Sequence, residues 1–165
     1  MTNPTTNLLI VDGQKLVTDL ITTALDTSDQ FVVSTANNLA SAVDILKSAA
    51  SEQFDIILLE TNLGKPMTVN EVGQLAKLSA PAKLVLFTNN ADKPFVESCV
   101  QVGAFGFIPK SLSLQAFKCV LSFITAGQVF IPADLYSRTA GVEQPDTSLL
   151  KPCEMDVLEK LSIGM

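Results

Sequence analysis

Asp12, Glu60, Thr88 and Lys110 each stand at or just after the end of a short apolar run. Runs of this kind, bounded by polar and turn-forming residues, are typical of strands that are buried on both faces. Open α/β sheets bind ligands outside the carboxyl ends of their strands, so these side chains are placed where chemistry or sensing is expected. The alternative is that the carboxylates and the lysine form an ion-pair cluster that only holds loops together.

The elements that must position these residues alternate between strand and helix. Apolar patterns predict strands over residues 8–12, 31–36, within 54–62, over 83–88 and within 103–110. Helical spacing predicts helices over residues 14–25, 39–46, 69–78, 94–102 and 114–126. Five strands alternating with five helices imply an α/β fold with a parallel sheet and right-handed crossovers. The first helix carries six apolar residues at helical spacing: Leu16, Val17, Leu20, Ile21, Ala24 and Leu25.

Local signals mark several helix ends. Asn38 and Ser113 are predicted N-caps of the second and the last helix. Pro94 suits the first turn of the fourth helix, and Gly127 is predicted to stop the last one. Gly73 falls inside the third helix and disfavours it.

The composition argues against several classes of function. The chain has 165 residues, a net charge of -6 and no histidine, which argues against DNA or anionic membrane binding by these residues and against a histidine-dependent active site. Its three cysteines are widely spaced, so we expect reduced structural thiols rather than a zinc site. No apolar run is long enough to span a membrane. We therefore expect a cytoplasmic protein that is not an enzyme and needs no cofactor.

At the strand ends the sequence resembles the receiver domains of bacterial response regulators, over roughly residues 7–127. The resemblance rests on Val-Asp at 11–12, Phe-Thr at 87–88 and Gly-Phe-Ile-Pro-Lys at 106–110. It implies a flavodoxin-like, doubly wound sheet of five parallel strands. It also implies roles for six residues. Asp12 matches the first acidic residue, Glu60 the phospho-acceptor and Asn62 the residue whose carbonyl binds magnesium. Thr88 matches the switch hydroxyl, Phe107 the switch aromatic and Lys110 the family's lysine.

Two departures from the family pattern predict a site that cannot be phosphorylated. Gly13 stands where the family has a second acidic residue, and Glu60 stands where it has the acceptor aspartate. Losing a carboxylate weakens an octahedral magnesium site, so residual magnesium binding at Asp12, Glu60 and Asn62 is not expected. The longer glutamate side chain misplaces the carboxylate for an in-line attack.

Glu60 could instead imitate a phosphorylated aspartate. Its candidate partners are Lys110 and Thr88, and Lys65 in the loop after the third strand could also neutralise it. The sequence does not choose between these partners. Thr88 could equally satisfy a local backbone group, and Phe107 could be an ordinary core residue.

The C-terminal residues resemble the opening helix of LuxR-type helix-turn-helix domains. The family's pattern is kept at Leu150, Pro152, Glu154, Val157 and Leu158. This predicts a receiver-like domain over residues 1–127, a linker over 128–148 and the first helix of a truncated DNA-binding domain over 149–165. DNA would be bound through the missing recognition helix and not by this fragment. The alternative is a generic amphipathic terminal helix.

Regulators of this kind usually act as dimers, because paired recognition helices read paired half-sites. The last helix has apolar residues outside its inward stripe, and exposed apolar patches mark partner surfaces. The predicted homodimer surface consists of Phe105, Ala116, Cys119 and Phe123. In the alternative, the linker folds back over this patch through Phe130 and Ile131.

The preferred interpretation is an atypical, phosphorylation-independent response regulator of the LuxR/FixJ type, for which a sensor kinase partner is doubtful. Two alternatives stay open. One is a pseudo-receiver that senses a small molecule in the altered pocket. The other is an interaction module that sequesters a partner regulator.

Overall fold

The computed structural model describes residues 5–27, 29–48, 54–89 and 91–132. The strands are β1 (Thr6–Val11), β2 (Phe31–Ala36), β3 (Ile56–Leu59), β4 (Lys83–Phe87) and β5 (Gly106–Ile108). The helices are α1 (Lys15–Asp26), α2 (Leu39–Ser48), α3 (Val69–Ser79), α4 (Lys93–Gln101) and α5 (Leu114–Thr125). Each predicted element is present.

All strand pairs of the sheet are parallel, and the strand order is β2-β1-β3-β4-β5. The order reverses direction between β1 and β3, which creates the crevice that doubly wound sheets use for ligands. The predicted flavodoxin-like fold class is therefore confirmed. In the centre of the sheet, Leu9 is paired with Ile57, and Ile57 is paired with Leu84.

Alternate residues of each strand feed two hydrophobic clusters, because successive side chains point to opposite faces of a sheet. The first cluster includes buried residues of α2, α3 and α4 and takes Leu9, Val11, Ala36, Ile57, Leu59, Leu84, Leu86 and Phe107 from the strands. The second cluster includes buried residues of α1 and α5 and takes Leu8, Ile10, Phe31, Ile56, Leu58, Val85, Phe87 and Ile108 from the strands. A strand buried on both faces reads as a continuous apolar run, as the sequence showed.

The predicted helix ends are confirmed by their hydrogen bonds. Asn38 Oδ1 accepts a hydrogen bond from the Ser41 N–H at 2.7 Å, and Ser113 Oγ accepts one from the Ala116 N–H at 3.2 Å. Gly127 has a φ of 96°, the left-handed conformation that glycine adopts readily after a helix. Gly73 lies inside α3 without breaking it. Its missing side chain lets the helix approach Val102 closely. A Cβ at position 73 would lie 3.1 Å from the Cβ of Val102.

Helix α1 does not bury its whole apolar set. Ile21 and Leu25 are buried, whereas Leu16 is 72% exposed and Leu20 is 55% exposed. Residues four apart share a helix face, so the buried pair and the exposed pair occupy two adjacent stripes. Only one of these stripes can face the sheet.

The predicted DNA-binding helix at 149–165 and most of the linker at 128–148 lie outside the described residues. Within the described ranges, no helix is both long enough and apolar enough to cross a membrane. Cys99 is a buried free thiol, as expected, and burial raises its pKa to about 11. Cys119 is disulfide-bonded, so the prediction of reduced thiols is wrong there. Spacing along the chain does not fix the distance between two cysteines in space.

Candidate functional site

The residues that follow β1, β3, β4 and β5 surround a cleft of about 470 Å³. Asp12, Glu60 and Thr88 directly follow β1, β3 and β4, and Lys110 follows β5 by two residues. The structure thus brings together the four side chains that the strand ends predicted. The cleft is also lined by two further predicted residues, Gly13 and Asn62, and by Gln14, Asn37, Leu63, Gly64 and Asn89.

The Lys110 ammonium joins the two carboxylates of the cleft. Its Nζ lies 2.7 Å from Asp12 Oδ2 and also forms an ion pair with Glu60 Oε2. The Asp12 contact is an ion pair rather than an aligned hydrogen bond, since Oδ2 has no partner in hydrogen-bond geometry. The Lys110 side chain is only 10% exposed, and its Nζ lies 5.6 Å from the centre of the Phe87 ring. Lys110 is therefore the cationic partner of Glu60.

Backbone amides hold the other two carboxylate oxygens. The Gln14 N–H donates to Asp12 Oδ1 at 2.8 Å, and the Asn62 N–H donates to Glu60 Oε1 at 3.0 Å. Each acidic side chain thereby closes the turn that leaves its own strand. Gln14 also accepts a hydrogen bond from Lys110 through Oε1 at 3.2 Å. All four carboxylate oxygens are therefore engaged within the chain.

Burial and charge act on Lys110 in opposite directions. Burial alone would lower its pKa, but the interactions with the Asp12 and Glu60 carboxylates outweigh burial and raise the pKa above its usual value. The lysine is therefore protonated at neutral pH. Two acidic side chains thus share a single ammonium group in this cluster.

The predicted switch residues Thr88 and Phe107 are both buried. Thr88 is 1% exposed, lines the cleft, and donates its backbone N–H to the Ile108 carbonyl at 3.3 Å. Phe107 is 5% exposed and belongs to the first hydrophobic cluster. A switching role for this pair stays a prediction.

Lys65 does not neutralise Glu60, contrary to one of the sequence-based alternatives. Its Nζ lies 3.9 Å from Glu71 Oε1 on α3, and its side chain is 79% exposed. The loop after β3 is closed by a hydrogen bond from the Met67 N–H to the Thr61 carbonyl at 2.7 Å. This tight closure places Lys65 beside the start of α3 instead of inside the cleft.

The residues present do not fit the magnesium site that the family resemblance implies. In the part of the chain that the structure describes, no group of three His, Cys, Asp or Glu side chains could hold a metal ion. Asp12 and Glu60 are both engaged by Lys110, so a cation would have to compete with the ammonium. Gly13 supplies no ligand. A Cβ at this position would nevertheless lie 3.4 Å from the Asn37 carbonyl oxygen, an ordinary contact, so the backbone does not require glycine here.

The predicted dimer surface on α5 is wrong in part. Ala116 is only 4% exposed because it lies one turn before the inward-facing Val120, on the same side of the helix. Phe105 packs against the second hydrophobic cluster, and Lys83 Nζ lies 5.5 Å from the centre of its ring. Cys119 and Phe123 are half-buried. These four residues therefore do not form an exposed apolar patch.

Sequence reasoning missed three polar residues of the cleft. Gln14 comes two residues after Asp12, Asn37 directly follows β2, and Asn89 directly follows Thr88. All three positions obey the rule that identified the other site residues, since they lie in loops at the carboxyl edge of the sheet. A systematic reading of all polar residues in these loops would have found them.

The sequence matches the response regulator receiver domain family over residues 8–121. The matched part exceeds half of the chain, and the fold agrees with it, so this protein belongs to the response regulator receiver domain family.

Similar proteins include regulators from several bacteria. The response regulator UvrY of Escherichia coli (strain K12) is 22% identical over 134 residues, which cover 81% of this chain and 61% of UvrY. The chain thus spans less than two thirds of that relative. The transcriptional regulatory protein MctR of Rhizobium johnstonii is 22% identical over 163 residues, covering 98% of this chain and 75% of MctR.

Solved structures of receiver proteins share this fold. A LuxR family DNA-binding response regulator from Silicibacter pomeroyi superposes with a TM-score of 0.67 at 24% identity, covering 78% of this chain and 98% of that one. A CheY-like receiver domain protein from Methanospirillum hungatei superposes with a TM-score of 0.66 at 17% identity, covering 75% of this chain and 96% of that one.

Proposed function

We propose that this chain is the receiver domain of a transcriptional regulator whose signalling state does not depend on phosphorylation. The observation that carries the proposal is the ion-paired cluster of Glu60, Lys110 and Asp12. The relatives UvrY and MctR are a response regulator and a transcriptional regulatory protein, which supports the regulatory part of the proposal. In this proposal the domain is not an enzyme and uses no cofactor.

The chemical argument concerns the carboxylate at the acceptor position. A carboxylate that attacks a phosphodonor needs an oxygen in line with the phosphorus atom. Glu60 directs one oxygen to the Asn62 amide and the other to Lys110. With Gly13 beside Asp12, the pocket also lacks a carboxylate that would hold magnesium against the donor. A sensor kinase is therefore not expected to transfer a phosphoryl group to this site.

DNA binding is assigned to residues that follow the receiver domain, beginning with the LuxR-like segment at 149–165. This segment lies outside the described residues. Residues 1–127 contain more acidic than basic side chains, which argues against DNA contact by the receiver domain, because DNA binding requires positive charge against the phosphates.

Homodimerisation belongs to this proposal, and α1 has a more exposed apolar stripe than the four residues predicted at α5 and its neighbours. The largest exposed apolar side chains include Leu16 and Leu20, one turn apart on α1. Exposed apolar stripes favour contact with another protein surface. We expect Leu20→Glu to give a smaller particle than the parent in light scattering, while Phe123→Glu leaves the particle size unchanged. The reverse result would return the dimer surface to α5.

The central experiment is intact mass spectrometry of the full chain after incubation with magnesium and a small-molecule phosphodonor. The parent is expected to keep its mass. The Glu60→Asp variant and the double variant Glu60→Asp/Gly13→Asp test whether the scaffold still supports the reaction, and the double variant is expected to gain a phosphoryl group. A phosphoryl group that peptide mapping places on Glu60 of the parent would refute the proposal.

A second candidate function is supported by the size of the cleft. Its volume of about 470 Å³ lies within the range of small-molecule sites, and most of its lining is polar. In this version a small polar ligand would bind the native state and raise its stability. A nucleotide or metabolite panel in a thermal-shift assay tests it, and a ligand that stabilises the parent but not Lys110→Met would favour the sensor.

A further inference from the structure

The edge of β5 that faces away from β4 is covered by the chain that follows α5. Strand β5 has three residues, and β4 pairs with one of its edges. On the other edge Phe130 forms a parallel bridge with Gly106, and the Phe107 N–H donates to the Phe130 carbonyl at 2.9 Å. We call residues 128–132 the strap. They are the last described residues of the chain and belong to the predicted linker.

Gly106 makes the close approach of the strap possible. A Cβ at this position would lie 2.6 Å from the Phe130 carbonyl oxygen and 3.2 Å from its backbone nitrogen. Any side chain would therefore push the strap away from the strand. The Phe130 ring adds a second anchor, since it is half-buried against the second hydrophobic cluster.

The same short strand leads directly to the acidic cleft. Ile108 accepts the Thr88 N–H at 3.3 Å, and only Pro109 separates it from Lys110. Proline fixes its own φ, so the connection from β5 to the lysine has little freedom. The backbone that receives the strap and the ammonium that binds Asp12 and Glu60 are thus parts of one five-residue segment, 106–110.

We propose that the strap couples the acidic cleft to the chain beyond residue 132. A change that moves Lys110 shifts β5 and alters how firmly the strap is held at Gly106 and Phe107. The strap thereby transmits the state of the cleft to whatever domain follows. This inference concerns regulation and goes beyond the proposed function, because it holds whether or not Glu60 can be phosphorylated.

The first test releases the strap directly. In the full chain, Gly106→Ala is expected to speed both chymotryptic cleavage after Phe130 and hydrogen exchange of the Phe107 amide by about tenfold, the ratio expected for one lost backbone hydrogen bond. Val32→Ala on the opposite edge strand β2 is the control, because that side chain is 54% exposed and lies outside the cleft. Unchanged cleavage and exchange rates in Gly106→Ala would refute the attachment of the strap to β5. If Gly106→Ala does not fold, Phe130→Ala replaces it, with exchange of the Phe107 amide as the readout.

The second test addresses coupling. Lys110→Met is expected to speed exchange of the Phe107 amide several-fold relative to Leu46→Ala. Leu46 is buried in α2, a helix that packs against β2 and α3, so its truncation lowers global stability at a distance from the strap. Equal exchange in the two variants would show that the strap is held independently of the cleft and would overturn the coupling. Phosphorylation of the parent on Glu60 would refute the proposed function without changing either outcome.

Discussion

Lys110 and Lys65 both lie in loops that follow strands at the carboxyl edge of the sheet, but they form very different ion pairs. Lys65 is five residues from Glu60 in the sequence but pairs with Glu71 on α3. Lys110 is fifty residues from Glu60 and forms the ion pair inside the cleft. Strand order, rather than distance along the chain, therefore decides which lysine neutralises the glutamate.

The surroundings of the two lysines also set how much each ion pair matters. The Lys110 side chain is 10% exposed and serves two carboxylates, whereas the Lys65 side chain is 79% exposed and lies 3.9 Å from one. Water and salt screen an exposed pair. In a buried cluster, removing one partner leaves an uncompensated charge away from water. The two sites thus predict mutational effects of very different size.

Lys110→Met gives the largest expected effect. It removes the ammonium while keeping an unbranched side chain, and leaves Asp12 and Glu60 facing each other in a buried cleft. We expect the free energy of unfolding to fall by about 3 kcal/mol, measured by urea denaturation. A loss below about 1 kcal/mol would mean that the cleft is solvated like the protein surface.

Alkaline pH should remove the same contribution without a mutation. The pKa of Lys110 is raised in the folded chain, so its contribution is fully present below the unfolded value, about 10.4. The contribution is lost as pH rises through the folded pKa. The stability difference between the parent and Lys110→Met should therefore stay constant from about pH 7 to about pH 9 and shrink above about 10.4. A difference that already shrinks near neutral pH would contradict a raised pKa.

Glu60→Gln should have a smaller effect. It removes the attraction to Lys110 but also removes the repulsion between Glu60 and Asp12, and the amide oxygen can still accept from the Asn62 N–H. We expect a loss of about 1 kcal/mol in the same urea titration. A loss as large as that of Lys110→Met would show that Asp12 contributes little to holding the lysine.

Lys65→Met should have the smallest effect, at most about 0.5 kcal/mol. Glu71 keeps its role in the capping box of α3, where it accepts from the Thr68 N–H at 2.8 Å, so the helix start survives. The measurement is again urea denaturation, at low and at high salt. A large, salt-independent loss would mean that Lys65 has a buried partner after all.

The fold could be predicted from the sequence because its signals are local. Continuous apolar runs gave the strands, and single residues such as Ser113 and Gly127 gave the helix ends. The meeting of Asp12, Glu60 and Lys110 could also be predicted, since parallel strands bring their carboxyl ends to one edge. Roles for these residues in signalling stay predictions.

The errors concern surfaces, which depend on how elements pack. Helical spacing groups the residues of α1 and α5 into stripes but does not say which stripe meets the sheet. Leu16 and Leu20 read as part of the apolar face and are exposed, whereas Ala116 read as exposed and is buried. The choice between Lys110 and Lys65 was open for a similar reason, because it depends on how the loop after β3 closes.

The open backbone at Gly13 makes this chain a useful starting point for protein design. A Cβ there would meet only the Asn37 carbonyl oxygen at an ordinary distance, so the backbone at this position tolerates the start of a side chain without a clash. Engineers could then compare two chains that differ only at positions 13 and 60 and measure how each responds to an inorganic ion. Such a pair would separate what the scaffold contributes to signalling from what the ligand chemistry contributes.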